Sequence, residues 1–342
     1  MESQGGNMLS DKKLSKLHTN QRLIVNELQG RGIEVEILDN SIELLEAKYN
    51  GHKELILDRD SSINPYAASV IAGDKYLAKK LLQRAGINVT QGKAFFSDQI
   101  DDALCYAQRI GYPVVVKPTF GSHGYGVNMD LDNLCKVKDA IEDVVQSIGI
   151  KRSYLVEEQF EGKEYRVFIT KNRNAAVLHR DPAHVVGNGK RTIEQLANEE
   201  SHKRMNPRDN CLCPIVLDDI AQEYLRKAGK DFNYTPQNNE KVYLRHNSNV
   251  AMGATCEDFT DKVHPSVIEI SKQALDVFHG LPYAGMDFLS KDITVEQNNH
   301  NYVVVEVNSV PGIHMHMRPG SGKPRNVAKY IVDMMFPETK GD

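Results

Sequence analysis

Near the C-terminal end, the run Val303-Val304-Val305-Glu306-Val307-Asn308-Ser309-Val310-Pro311-Gly312 constrains the fold most. A stretch this apolar and β-branched reads as a strand held firmly inside a sheet. Side chains at i and i+2 of a strand share a face, so Glu306 and Asn308 point the same way. Both offer oxygen to a hard cation, and Mg²⁺ in nucleotide sites takes few protein oxygens plus phosphate oxygens. Gly285-Met286-Asp287-Phe288-Leu289 reads as a second strand, with Glu296 to Asn301 as the turn between them. That antiparallel hairpin brings Asp287 beside Glu306 and Asn308. Two strands carrying solvated polar residues are the simpler alternative, and the valine runs around the E-x-N insertion argue against it.

A second strand end carries glycine. Tyr112 to Lys117 opens into Pro118-Thr119-Phe120-Gly121-Ser122-His123-Gly124-Tyr125-Gly126. Glycines at this spacing let backbone N–H groups approach an anion without obstruction by Cβ. A lysine just before the loop can neutralise phosphate charge. The loop is neither a Walker loop nor a Rossmann turn, because no Gly-Lys-Ser/Thr ends it and no G-x-G-x-x-G matches. Taken alone, it is explained equally well by a simple hairpin. Further on, the strand at Tyr154 leads through Glu157-Glu158-Gln159-Phe160 to Glu164, an edge able to present backbone groups to an adenine and a carboxylate to a ribose. By itself that segment reads more simply as a solvated acidic turn.

The rest of the composition excludes rather than selects. A net charge of −4 over 342 residues draws the chain neither to nucleic acid nor to an anionic membrane. Met1 to Asn20 lacks the apolar core of a secretory signal, and no run approaches a membrane span. The five cysteines are odd in number and scattered, and Cys211-Leu212-Cys213 lacks zinc or redox spacing, so free thiols in a cytoplasmic protein are expected.

Residues 1–15 read as a disordered leader, 16–72 as a small N-terminal α/β unit with a hairpin at Asn50-Gly51, and 73–338 as one larger domain. The latter divides into a linker with first helices (73–112), a lobe at 113–170 and a second lobe at 171–338. Asp74 caps a helix running to Arg84, and Pro265 to Phe278 is a helix on apolar spacing. Strands and helices mix without steady βαβ alternation, so the fold class is α+β.

These pieces occur together and in this order in the ATP-grasp ligases, which the chain resembles from about Gln21 to Glu338. The resemblance rests on Asp74-Lys75, Lys117-Pro118, Gly121 to Gly126, Val156-Glu157-Glu158, Glu164-Tyr165-Arg166, His179 to Gly189, Tyr243 to Asn249, Ala284 to Asp287 and Glu306 to Gly312. It is similar to the module shared by cyanophycin synthetase and bifunctional bacterial glutathione synthetase. The resemblance implies two lobes that clamp ATP between antiparallel sheets, with ATP and two Mg²⁺ ions as cofactors and Mn²⁺ as an accepted substitute. Lys75 and Lys117 would contact phosphates, and Gly121, Ser122, Gly124 and Gly126 would form the lid. Glu157, Glu158, Gln159 and Phe160 would supply the adenine hinge, and Glu164 the ribose contact. Asp287, Glu306 and Asn308 would hold the metal. Arg245, with Asn249 and His123, would stabilise transferring charge.

Arginine binds carboxylates in a two-pronged manner. Arg166, Arg180 and Arg318 fall near strand ends or on loops expected to face the cleft, so an amino-acid or peptide substrate follows. Arg325 is a weaker candidate, read first as a surface charge. His314 and His316 alternate around Met315 and, without a third ligand, read as pocket lining rather than a zinc site. The implied reaction is amide formation through an acyl phosphate, with phosphorylation of a small acceptor as the alternative, in a homo-oligomer (dimer or tetramer). Two departures qualify it. Val250-Ala251-Met252-Gly253-Ala254 stands where the family has a hydroxyl residue and paired glycines. The Mur-ligase-like second half of cyanophycin synthetase and the cysteine-ligating first half of the bifunctional glutathione enzyme do not fit in 342 residues, so a single ligation is expected.

Overall fold

A tight turn organises the first unit of the computed structural model, which describes residues 9–39, 41–121, 126–149, 152–205 and 211–340. Helices α1 (Asp11–Leu14) and α2 (Thr19–Gly30) precede β1 (Glu34–Asp39), β2 (Leu44–Tyr49), β3 (His52–Leu57) and β4 (Asp60–Ser61). The strands form an antiparallel sheet in that order. Asn50 and Gly51 both take positive φ, 48° and 88°, as the two-residue loop between β2 and β3 demands. Leu9 and Leu14 pack on the core of this unit, which corrects the expectation of a leader through residue 15. Residues 1–8 lie outside the described residues.

Helices α3 (Tyr66–Gly73) and α4 (Lys75–Arg84) follow. The Asp74 carboxylate accepts hydrogen bonds from the N–H groups of Tyr76 and Leu77, both at 2.9 Å, and so starts α4. The next sheet takes β5 (Gly92–Phe95), β6 (Val114–Pro118), β7 (Asn128–Leu131) and β8 (Tyr154–Glu158), in the order β5-β8-β6-β7, with α5 (Ile100–Ile110) and α6 (Leu134–Ile148). Val114, Val116, Tyr154 and Val156 face those helices and form a core with them. Alternation therefore turns Lys117 and Glu157 to the opposite face.

The remaining chain supplies β9 (Lys163–Thr170), β10 (Ala175–Asp181), β11 (His184–Val186), α7 (Ile193–Arg204), α8 (Asp219–Lys227), β12 (Lys241–Tyr243), β13 (Thr255–Asp258), α9 (Pro265–Asp276), β14 (Tyr283–Ser290), β15 (Tyr302–Asn308), α10 (His314–Met317) and α11 (Val327–Met335). A five-stranded antiparallel sheet runs β13-β10-β9-β14-β15, and β11 pairs with β12 in a satellite that has its own core. Because β9 lies in the middle of the large sheet, the lobe boundary falls between β8 and β9, not at residue 170. Among the described residues, no helix is long and apolar enough to cross a membrane.

The two faces of the large sheet are chemically unlike. One buries Tyr165, Val167, Val177, Met286, Phe288, Val304 and Val307 against α3, α4 and α9. On the other, Phe168, Ala176 and Tyr283 pack with Ile313 and α11 at one end, while the other end is polar. Register sets that polar end: Asp287 pairs with Arg166 on one side and Glu306 on the other, and Glu164 pairs with Arg180.

A β-bulge decides where Glu306 points. Phe288 pairs with Val304 but Asp287 pairs with Glu306, leaving Val305 as an extra residue. Unbroken alternation from Tyr302 and Val304, both in the apolar core, would drive Glu306 into that core as well. The inserted residue reverses the phase, so Val307 returns to the core while Glu306 and Asn308 face the polar side.

Candidate functional site

Lys75 of α4 reaches the polar end of the large sheet, while Lys79 of α4 and Lys117 of β6 turn to Glu157 on β8. Lys75 and Lys79 sit four residues apart and share a helix face. The Lys75 ammonium donates to the Gly121 carbonyl at 2.6 Å and stands 3.5 Å from the Glu306 carboxylate. It thus touches both the loop after β6 and the floor of β15. Lys79 and Lys117 converge on the buried Glu157, which is 3% exposed. Thr90 completes this cluster: its hydroxyl donates to Glu157 at 2.7 Å, and its carbonyl accepts from Lys79 at 2.8 Å. Burial alone would push the Glu157 carboxyl up, but Lys117 and Lys79 outweigh it and hold it at about 2.

A second charged cluster lies on the sheet. Arg180 bonds Asp287 at 2.8 Å and also bonds Glu164, which in turn accepts from the Ser248 hydroxyl. The Arg166 Nε stands 3.0 Å from the same Asp287 oxygen. Burial pulls the Arg180 guanidinium down, yet Asp287 and Glu164 outweigh that and raise it. Arg166 is lowered, burial being the larger cause against the opposing pull of Asp287. Gly285 makes room for this arrangement: a Cβ there would stand 2.7 Å from the Pro311 Cβ and 3.0 Å from an Arg166 nitrogen.

Several sequence expectations acquire different surroundings. The Glu157 side chain is sealed between two lysines, so only its backbone is left for an adenine hinge. Glu158 accepts from the Gln91 N–H at 2.8 Å, and Gln159 exchanges two hydrogen bonds with Asp130. Phe160 follows β8 and is half-buried. Arg245 is buried, and its guanidinium donates to the Val216 carbonyl at 2.8 Å and to Asp218 at 3.0 Å. Asn249 accepts from the Ala251 N–H and caps a short 3₁₀ turn. His316 does not line an open pocket as expected, because it is 0% exposed and burial holds its imidazole at about 3. His314 is also lowered by burial, to about 4, and its backbone and ring nitrogens meet Asn20. Arg318 is half-buried at the end of α10. Arg325 clasps Asp258 and Asp261 and so ties the C-terminal segment to β13. Gly126 keeps a positive φ of 70° against Pro118, whereas Ser122, His123 and Gly124 lie outside the described residues.

Lys79, Thr90, Ser248 and Asp218 carry interactions that the sequence reading did not assign. Lys79 had a signal, its four-residue spacing from Lys75 on one helix face. The others had none, because their partners come from distant segments.

Two carboxylate groups and a carboxamide oxygen on one face suit a hard cation, while the buried Asn308 Nδ2, a donor without a hydrogen-bond partner, suits an oxygen of an anion. Among the described residues, no three His, Cys, Asp or Glu side chains gather closely enough to hold a metal by themselves. Asp287 is turned to the arginines and Glu306 to Lys75, so these pairings must open before a cation enters.

Residues 74–190, which hold the lysines, Glu157 and Glu164, match the family described as the carbamoyl-phosphate synthase L chain, ATP binding domain. The crystal structure of a bifunctional glutathione synthetase from Pasteurella multocida superposes with a TM-score of 0.67 at 29% identity, over 93% of this chain and 44% of that one. The chain carries an ATP-grasp domain. Cyanophycin synthetase of Geminocystis herdmanii is 33% identical over 327 residues, which is 95% of this chain and 37% of the relative. The bifunctional glutathione biosynthesis protein of Clostridium perfringens is 30% identical over 94% of this chain and 41% of its own length. This ATP-grasp chain therefore spans well under half the length of the curated relatives it matches.

Proposed function

We propose that this chain is an ATP-dependent ligase that joins a carboxylate to an amine, on an amino acid or small peptide, through an acyl phosphate. The observation that carries the reading is the approach of the Lys75 ammonium, from the start of α4, to Glu306 on β15, beside Asp287 and its arginines. This sets a cationic group suited to phosphates against hard oxygen donors. The names of the relatives, cyanophycin synthetase and bifunctional glutathione synthetase, support amide-bond formation.

A carboxylate in water resists attack by an amine, so it must first take the γ-phosphoryl group of ATP and become an acyl phosphate. Lys75 and Lys117 would offset charge on the phosphates as it spreads in the transition state. Arg166 and Arg180, released from Asp287, would orient the substrate carboxylate in line with the γ-phosphorus. Asp287, Glu306 and Asn308 would hold divalent cations, read as two Mg²⁺, which supply further charge neutralisation at the phosphates. The amine then attacks the acyl carbon, the C–O bond to phosphate breaks, and phosphate leaves with the amide formed. The enzyme is read as cytoplasmic and homo-oligomeric.

The test is a screen of amino acids and dipeptides in pairs with ATP, scored by phosphate release and product mass. A ligase releases ADP in step with an amide product whose mass is that of the two substrates less one water. Complete ADP release without any amine, together with a stable phosphorylated product, would replace this reading by acceptor phosphorylation.

A further inference from the structure

The thiols of Cys211 and Cys256 face each other at 2.7 Å inside the protein, though 45 residues separate them in the chain. Three segments meet at this point. Cys256 lies on β13 in register with Arg180, which holds Asp287 and Glu164. The Cys211 N–H donates to the Arg318 carbonyl at 2.7 Å, and the Ser321 N–H donates to the Cys256 carbonyl at 3.3 Å. From Cys211 the chain runs to Val216 and Asp218, the groups that bind the Arg245 guanidinium. The pair is enclosed by Leu178 and Val250, with half-buried Leu212 and Met315 against them.

We propose that Cys211 and Cys256 are an oxidisable pair whose disulfide clamps the segment Cys211 to Asp218 onto the edge of the large sheet. Neither sulfur needs to travel far, and both backbones are already fixed by hydrogen bonds to the Arg318–Ser321 loop. The oxidant is a small peroxide. The Cys256 sulfur attacks one peroxide oxygen, the O–O bond breaks, and a sulfenic acid and water result. The Cys211 sulfur then attacks the Cys256 sulfur, the S–O bond breaks, and the hydroxide leaves as water with the Cys211 proton. Two thiols and one hydrogen peroxide thus give one disulfide and two waters. The balance is the same with the two sulfurs exchanged, since either can donate the hydrogen shared between them. Cys213, two residues from Cys211 and half-buried, is not paired with either sulfur.

The inference goes beyond the ligase reading and stands without it. Its experiment treats the full chain with hydrogen peroxide and maps its peptides without reduction. A peptide linking Cys211 to Cys256 should form, two of the five thiols should vanish from a thiol titration, and the thermal midpoint should rise. Dithiothreitol should reverse all three changes. Cys211→Ala and Cys256→Ala should each abolish the linkage and the rise in midpoint, and far-ultraviolet circular dichroism of each variant checks that it folds. Because the mapping is done on the unaltered chain, a variant that fails to fold leaves the test intact. Absence of the linked peptide, linkage through Cys213 instead, or a rise in midpoint that persists in Cys211→Ala would overturn the proposal.

Discussion

The two charged clusters of this protein use the same residue types for opposite ends. Around Glu157, two lysines and a threonine saturate one carboxylate in a sealed space. Around Asp287, the pairings are incomplete: Asn308 Nδ2 is buried without a partner, and Glu306 meets Lys75 only at 3.5 Å. The Glu306 and Asp287 side chains also retain 22% and 15% of their exposure, against 4% for Glu157. A saturated cluster stabilises the fold and resists exchange, whereas an unsaturated one can trade partners for a ligand. Lys117 belongs to the first kind, although the proposed reaction needs it at the phosphates.

The sharpest break between the clusters comes from removing each carboxylate. Glu157→Gln leaves two buried ammonium groups without a counter-charge, which costs about 3–5 kcal/mol of stability by urea titration. Glu306→Gln loosens a longer pair, at 3.5 Å, whose carboxylate keeps 22% exposure, and should cost less, about 1–2 kcal/mol. Its effect appears instead in turnover, with phosphate release lowered about 10²–10³-fold as for loss of one charge-stabilising group. If Glu306→Gln proves the more destabilising of the two, the division into sealed and exchangeable clusters is wrong.

A smaller effect tests the space beneath Arg166. Gly285→Ala should cost about 1–3 kcal/mol through overpacking, because Pro311 is ring-bound and cannot yield as a flexible side chain would. Restored stability in Gly285→Ala combined with Arg166→Ala would show that the guanidinium, not Pro311, bears the collision.

Acid titration separates the clusters by pH window. The Glu157 carboxyl lies at about 2 in the folded chain against an ordinary 4.5, so its contribution is complete above 4.5 and is lost as pH falls toward 2. The His316 imidazole lies at about 3 against 6.5, so its contribution is complete above 6.5 and is lost as pH falls toward 3. His316→Leu should therefore flatten the stability curve between pH 6.5 and 4.5, a window in which Glu157→Gln leaves the slope unchanged. Urea midpoints across that range decide it.

Local rules made much of the frame legible. Asp74 starts α4 by an ordinary cap, Asn50-Gly51 turns the first hairpin, and valine periodicity marks β6 and β15. The pairing of Asp287 with Glu306 followed from the hairpin, since adjacent strands leave few registers. Side-chain partners from distant segments were not legible. Nothing near Thr90 in the sequence points to Glu157, and nothing near Cys211 points to Cys256. Thr255–Asp258 lacks an apolar alternation and forms a strand only because β10 offers an edge. Alternation around Met315 places His314 and His316 on one face only in a strand, whereas these residues form the helix α10, which turns the His316 imidazole against Phe168.

The extra residue at Val305 gives the chain a mutational fragility of an unusual kind. Most substitutions near a reacting centre alter one group and leave its neighbours in place. Loss of a single codon here would shift the count, so that either Glu306 and Asn308 or the valines and tyrosine beside them must exchange sides. No point substitution at 305 does this, since any residue there keeps the count. The chemistry of the strand is thus written partly in its length, and insertions or deletions in this edge hairpin are the changes that would erase it.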